Sequence, residues 1–309
     1  MKKKDFFITA VMAVTLLASC SSEMPTAEQP HGTGGHHAIE LTASIEGLGT
    51  SAASTSQRTT RAAADLQSTT VDQSVTLGVF VSKAGGSETV ANNVAYTYST
   101  SSQSWKAASA DTPVYFPTDG SAIDITVYAP YQDGISSAAD IPTATTFAVK
   151  TTQTTDADYL ASDLITGSKN NVLYSGKPVT ITMKHLLSKV NVTLVPSDGL
   201  TINDLKGAMM KIGSVDMMFP SDLAADATSA SQAVILPPAT FTSGNEFISI
   251  VLSSGAYFPY VLTSDLTLEA GKQYTYSFTL KAMGISLNTA AVTDWMTGGT
   301  FNDGEMKTE

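Results

Sequence analysis

The chain has 309 residues, is 42% hydrophobic but only 15% charged, and carries a formal net charge of -11. That charge argues against nucleic acid or anionic lipid as partners, because phosphate binding runs on Lys and Arg that displace counterions. One cysteine in the sequence allows no internal disulfide. Stability must therefore come from core burial and backbone pairing, and the length permits two ordinary domains or one large all-β domain.

Lys2, Lys3 and Lys4 open the chain, Phe6 to Leu17 is apolar, and Leu17-Ala18-Ser19-Cys20 closes the segment with small residues and a thiol. This succession reads as a lipoprotein signal peptide over residues 1–20 with a lipid-accepting Cys20, and hence as attachment to a membrane surface. The apolar stretch is about 12 residues, short of the roughly 20 that span a bilayer as a helix. The expected anchor is acyl chains, palmitate among them, each buried CH2 contributing about 0.8 kcal/mol.

Residues 21–37 are rich in Pro, Gly, Ser and Thr and read as a flexible tether. His31, His36 and His37 lie in it, but a glycine-rich tether offers no outer shell to orient the rings, so no metal site is expected. Ile39, Leu41, Ala43 and Ile45 then alternate with Glu40, Thr42, Ser44 and Glu46, the period-2 pattern of a strand with one buried face. A low-complexity stretch from Gly49 to Ser68 follows and contains Arg58 and Arg61, the only arginines in the sequence. An arginine-specific protease could cut nowhere else.

Further strands are expected at Val75, Leu77, Val79 and Val81 before Gly85-Gly86, at Val114 to Phe116, and at Ile123, Ile125 and Val127. Thr151 to Asp158 lacks periodicity, and Tyr159 to Ile165 reads as a short helix or an irregular crossing. A boundary is placed here, giving an N-terminal domain over 38–170 and a C-terminal domain over 171–309. Beyond it, Val179, Ile181 and Met183 alternate, then Val190, Val192 and Leu194. Phe247 to Leu252 reads as a strand buried on both faces, and Tyr274, Tyr276, Phe278 and Leu280 alternate before Ile285, Leu287, Val292 and Trp295. Short strands without long amphipathic helices favour sandwiches or barrels.

Little here points to catalysis. Asp156, Asp158 and Asp163 have carboxylates at a spacing that could suit calcium, but the central Gly and closing Glu of an EF-hand are missing. His185 lies in a strand pattern and reads as a hydrogen-bonded structural residue. The sequence holds no Gly-x-Ser-x-Gly elbow, phosphate loop or dinucleotide fingerprint, and no Cys beyond Cys20. The expectation is a protein without enzymatic activity, cofactor or catalytic residues.

Four stretches together resemble the fimbrillin family of Bacteroidetes, pilus subunits made from lipoprotein precursors. They are Ile39 to Ile45 followed by Thr60-Arg61; Thr126-Val127-Tyr128-Ala129-Pro130-Tyr131; Lys184-His185-Leu186-Leu187-Ser188-Lys189-Val190-Asn191-Val192; and Glu269 to Tyr276 with Thr293-Asp294-Trp295. The resemblance implies two transthyretin-like Greek-key β-sandwich domains. It also implies export to the cell surface, trimming by an arginine-specific protease, and polymerisation with other pilus subunits by donor-strand exchange. Carried onto this sequence, the cut follows Arg61, with Arg58 as the fallback. Residues 38–61 leave with the strand that holds Ile39, Leu41, Ala43 and Ile45, and the mature chain starts at Ala62. The candidate donor is residues 285–295, with Ile285, Leu287, Val292 and Trp295. Its alternation is imperfect around Ala290 and Ala291, which calls for a bulge or a shorter donor. Shaft, tip and anchor roles stay open, as does a host or bacterial surface ligand. The alternative is a monomeric surface lipoprotein that binds a glycan or host ligand, with Trp105, Trp295 and tyrosines as a stacking platform.

Overall fold

The computed structural model describes residues 35–46, 71–86 and 88–295. Cys20, His31, Arg58 and Arg61 lie outside the described residues. The architecture is nearly all β, and the expected strands at 39–45, 75–81, 123–127, 179–183, 190–194, 247–252, 274–280 and 285–292 all find counterparts.

Seven strands form the N-terminal part: β1 (Leu41–Ile45), β2 (Leu77–Lys83), β3 (Thr89–Ser99), β4 (Ser104–Ala107), β5 (Ile123–Ala129), β6 (Ile165–Val172) and β7 (Val179–His185). They hydrogen-bond in the closed order β1-β4-β3-β2-β5-β6-β7. Alternating side chains turn Leu41, Leu77, Val79, Tyr96, Trp105, Ile123, Ile125, Ile181 and Met183 into one core. The ring therefore reaches His185, past the boundary expected near residue 170.

Stitching around the ring is uneven. β1 runs parallel to β7 over five register pairs, Leu41↔Val179 to Ile45↔Met183, but meets β4 only at Leu41↔Trp105. β6 and β7 share two pairs, Ile165↔His185 and Thr166↔Lys184. Next to them Gly167 lies so close to β7 that a Cβ there would sit 2.3 Å from the Thr182 carbonyl oxygen. Among the described residues one α-helix, α1 (Asp156–Ala161), precedes β6, so residues 159–165 are the end of a helix, an irregular crossing over 162–164 and the first residue of a strand.

The C-terminal part contains β8 (Ser188–Pro196), β9 (Met209–Ile212), β10 (Val215–Met218), β11 (Ala230–Leu236), β12 (Ala239–Phe241), β13 (Glu246–Val251), β14 (Tyr257–Val261), β15 (Leu266–Leu268), β16 (Lys272–Lys281) and β17 (Gly284–Asp294). Two four-stranded sheets, β10-β9-β13-β14 and β11-β8-β16-β17, pack as a sandwich, and β12 pairs with β15. Val190, Val192 and Leu194 of one sheet and Met210, Ile212, Ile248 and Ile250 of the other share its core with Tyr274, Tyr276, Phe278 and Leu280. β8 and β16 are parallel neighbours over eight pairs, Gln273↔Lys189 to Leu280↔Pro196. β13 is buried from Phe247 to Ile250, whereas Val251 is exposed.

The close approach at Gly167 yields a stability prediction. Gly167→Ala places a methyl group against the β7 backbone where β6 and β7 have few bonds, and is expected to cost about 1–3 kcal/mol, read as a lower urea midpoint at unchanged slope.

Candidate functional site

The segment around β1 is bonded on both sides. His37 O accepts from Phe116 N–H at 2.9 Å and Ile39 N–H donates to Val114 O at 2.7 Å, so the Val114–Phe116 segment lines one side before β4 begins. On the other side Val179 N–H donates to Glu40 O at 2.8 Å and Glu46 N–H to Met183 O at 2.6 Å. The bonded stretch thus runs from His37 to Glu46. Ile39, Leu41 and Ile45 are buried and Ala43 is half-buried, so all four expected strand residues point into the ring. Removing the strand would uncover Trp105, Ile181 and Met183 together with the unpaired edges of β4 and β7.

Polar contacts also hold β1. The Tyr96 hydroxyl donates to Ile39 O at 3.2 Å inside the ring, and burial pushes its phenol well above the usual tyrosine range. Outside, Ser104 Oγ donates to Glu40 Oε2 at 2.7 Å and Lys106 Nζ lies 3.1 Å from Oε1. The Ser104 hydrogen bond first, and Lys106 after it, hold the Glu40 carboxyl below the usual carboxylate range despite some desolvation.

β17 is placed very differently. It is an edge strand whose one neighbour is β16, and most of its residues are exposed. The register shifts between Ser277 and Phe278, so Asn288 bulges out and Ile285, Leu287, Ala290 and Val292 stand opposite Leu280, Phe278, Tyr276 and Tyr274. The expected break in alternation is this bulge, two residues earlier than Ala290.

Trp295, directly after β17, lies at the junction of ring and sandwich, in a cluster with Phe147, Leu164, Leu187 and Ile235. Its indole stacks on His185 at 3.6 Å between ring centroids and 7° between planes. His185 Nδ1 pairs with Asp163 Oδ1 at 2.7 Å, and Lys189 Nζ stands 5.8 Å from the indole centroid. The Trp295 N–H donates to Gly271 O at 2.6 Å.

Two of the three aspartates resembling a calcium site have other roles. Thr155 caps α1, accepting from Asp158 N–H at 3.1 Å while its hydroxyl donates to Asp158 Oδ2 at 2.6 Å, and Asp163 faces His185. Among the described residues no group of three or more His, Cys, Asp or Glu side chains could hold a metal. His37 stacks on Tyr174 and His36 lies edge-on to Tyr115. Trp105 and Trp295 are both buried, so neither offers an open face to a sugar. Sequence reasoning missed the contact of His185 with Trp295; the strand expected at Val114 to Phe116 is present as a bridged segment, Ala38 opposite Tyr115, but its place beside β1 was not foreseen.

A nearly all-β body of this kind recurs in solved structures of Bacteroides proteins. A candidate cell adhesion protein of Bacteroides uniformis is 19% identical with a TM-score of 0.55, covering 86% of this chain and 100% of its own. One from Bacteroides ovatus is 14% identical with a TM-score of 0.57 over the same shares. These likenesses concern the fold. A curated protein described as a candidate fimbrium subunit, Fim1C of Bacteroides uniformis, is 23% identical over 318 residues, 96% of each chain. The model of the fimbrillin-like family matches residues 60–295, and the chain belongs to that family.

The carboxylate of Glu40 gives a pH prediction. Its folded value lies below its unfolded one, so its contribution to holding β1 is present above the unfolded carboxylate value and lost as pH falls through the folded value. Glu40→Gln is expected to speed amide exchange of residues 41–45 at neutral pH, with the difference from the parent chain closing as the pH falls below the ordinary carboxylate range. A difference that persists unchanged in acid contradicts this assignment.

Proposed function

We propose that this protein is a structural and adhesive subunit of a cell-surface fimbria that polymerises by donor-strand exchange. In this reading the precursor is exported as a lipoprotein held in the outer membrane through Cys20. An arginine-specific protease then cuts after Arg61, or after Arg58, and residues 38–61 leave with β1. The observation that carries the reading is the placing of β1: a fully used position inside the ring, joined onward only through the stretch that contains both arginines.

The energetics support it. Loss of Ile39, Leu41 and Ile45 exposes apolar surface worth about 1.5–3 kcal/mol per side chain, along with two rows of unpaired backbone groups. An extended segment of another subunit would restore both, main-chain bonds supplying affinity and alternate side chains specificity. β17 is the fitting donor. It is 11 residues long, close in length to the stretch from His37 to Glu46, and is the exposed, terminal member of its sheet. Leaving takes little from Leu287 and Val292, already 39% and 47% exposed, and the buried residue it must give up is Trp295.

Two experiments test the scheme. Replacing Arg58 and Arg61 together by Ala is expected to leave a lipidated precursor that still reaches the membrane but forms no polymer, whereas the parent chain yields a mature form starting at Ala62 by N-terminal sequencing and intact mass. Normal polymers from the double variant would refute arginine trimming. Thr275 and Ala291 are cross-strand partners of β16 and β17. With Thr275→Cys and Ala291→Cys combined, the oxidised protein is expected to stay monomeric and to polymerise on reduction; polymerisation regardless of redox state would exclude β17 as the donor.

A further inference from the structure

β17 is held in its sheet unevenly. The ladder to β16 supplies main-chain bonds along its length, but Leu287 and Val292 are 39% and 47% exposed and Met283 at the hairpin tip is fully exposed. Gln273 and Thr293 are paired across the two strands, yet neither Gln273 Oε1 nor Thr293 Oγ1 has a hydrogen-bond partner. Among the described residues after Leu280, only Trp295 is buried, with 6% of its surface accessible. An exposed edge strand opens locally at small cost, so the one buried aromatic at its end dominates how firmly it stays.

The residues around that indole come from several separate elements. His185 closes β7, the strand that lines the β1 position, and is oriented from behind by Asp163. Lys189 belongs to β8, and its ammonium approaches both the Trp295 ring and, at 6.0 Å, the Tyr159 ring of α1. The Gly271 carbonyl fixes the Trp295 backbone just before β16. A stacked ring beside a cation in a buried pocket is a strong, directional contact, whereas the other polar side-chain contacts of β17, the Lys272–Asp294 ion pair and the Thr279 hydroxyl donating to Asn288 Oδ1, are exposed.

We propose that Trp295 is the positioning residue that anchors β17 in its own sheet, and that withdrawal of its indole from His185 and Lys189 frees the strand. The inference rests on β17 as donor only for its biological use; the anchoring itself is a property of the monomer. It makes the self-paired state of the unpolymerised subunit depend on one side chain.

The test is amide hydrogen exchange on the full chain and its Trp295→Ala, Trp295→Phe and His185→Ala variants. In Trp295→Ala, amides of residues 285–294 are expected to exchange about 100-fold faster, the order set by truncating a buried Trp, while β2, β5 and β13 keep parental rates. Trp295→Phe, which preserves a ring over His185, falls between. His185→Ala accelerates the same amides less, and it carries the test if Trp295→Ala does not fold. Unchanged protection of residues 285–294 overturns the anchor, and so does equal acceleration in every strand, which marks Trp295 as an ordinary core residue. Polymer formation by His185→Ala, which leaves every residue of the candidate donor intact, separates this from the donor reading: selective loosening of β17 with no gain in polymer keeps the anchor and removes β17 as the donor.

Discussion

The parallel ladder between β1 and β7 is the contact on which closure of the N-terminal ring depends. Parallel strands cannot be joined by a tight turn, and here the paired residues Thr42 and Thr180 are 138 positions apart. β7 has only two pairs with β6, and β4 only one with β1, so β1 stands in the most thinly stitched sector of the ring. Its five pairs to β7, the wall at Val114–Phe116 and the three buried aliphatic residues compensate for that thinness. Every other strand of the ring keeps its main partner without β1; β7 does not.

The C-terminal sandwich also contains a parallel ladder, but uses it in the opposite way. β8 and β16 are central, flanked by β11 and β17, so removing β17 takes an edge from the sheet and leaves its middle intact. Loss of β1 opens a core, whereas loss of β17 exposes one flank of Tyr274, Tyr276, Phe278 and Leu280. The junction cluster ties these unequal strands together, because His185 ends the neighbour of β1 while Trp295 ends β17.

Alternation made β1, β7, β8, β16 and β17 legible in the sequence, since each has one apolar and one polar face. β3 was not legible: Asn92 and Asn93 interrupt its pattern, and Asn93 adopts a positive φ of 47° where the ladder to β2 shifts register. β6 hid for a related reason, with Ser168, Lys169, Asn170 and Asn171 exposed in mid-strand. The identities of the β1 residues that point inward could be read from local pattern. That β1 lies between β4 and β7 could not, because it is set by contacts far apart in sequence. Spacing alone also left open what the aspartates do: Asp158 pairs with the Thr155 cap and Asp163 with His185, which only their partners reveal.

The parallel placing of β1 also changes what a cut in residues 47–70 would mean. No wall of the β1 position is covalently interrupted by such a cut, because β4 and β7 belong to the continuous chain from β2 onward. A severed β1 would then cease to be part of the fold and become a ligand of it. Its occupancy would follow mass action, with an off-rate and a dissociation constant, and free peptide at sufficient concentration would stabilise the body as any bound molecule does.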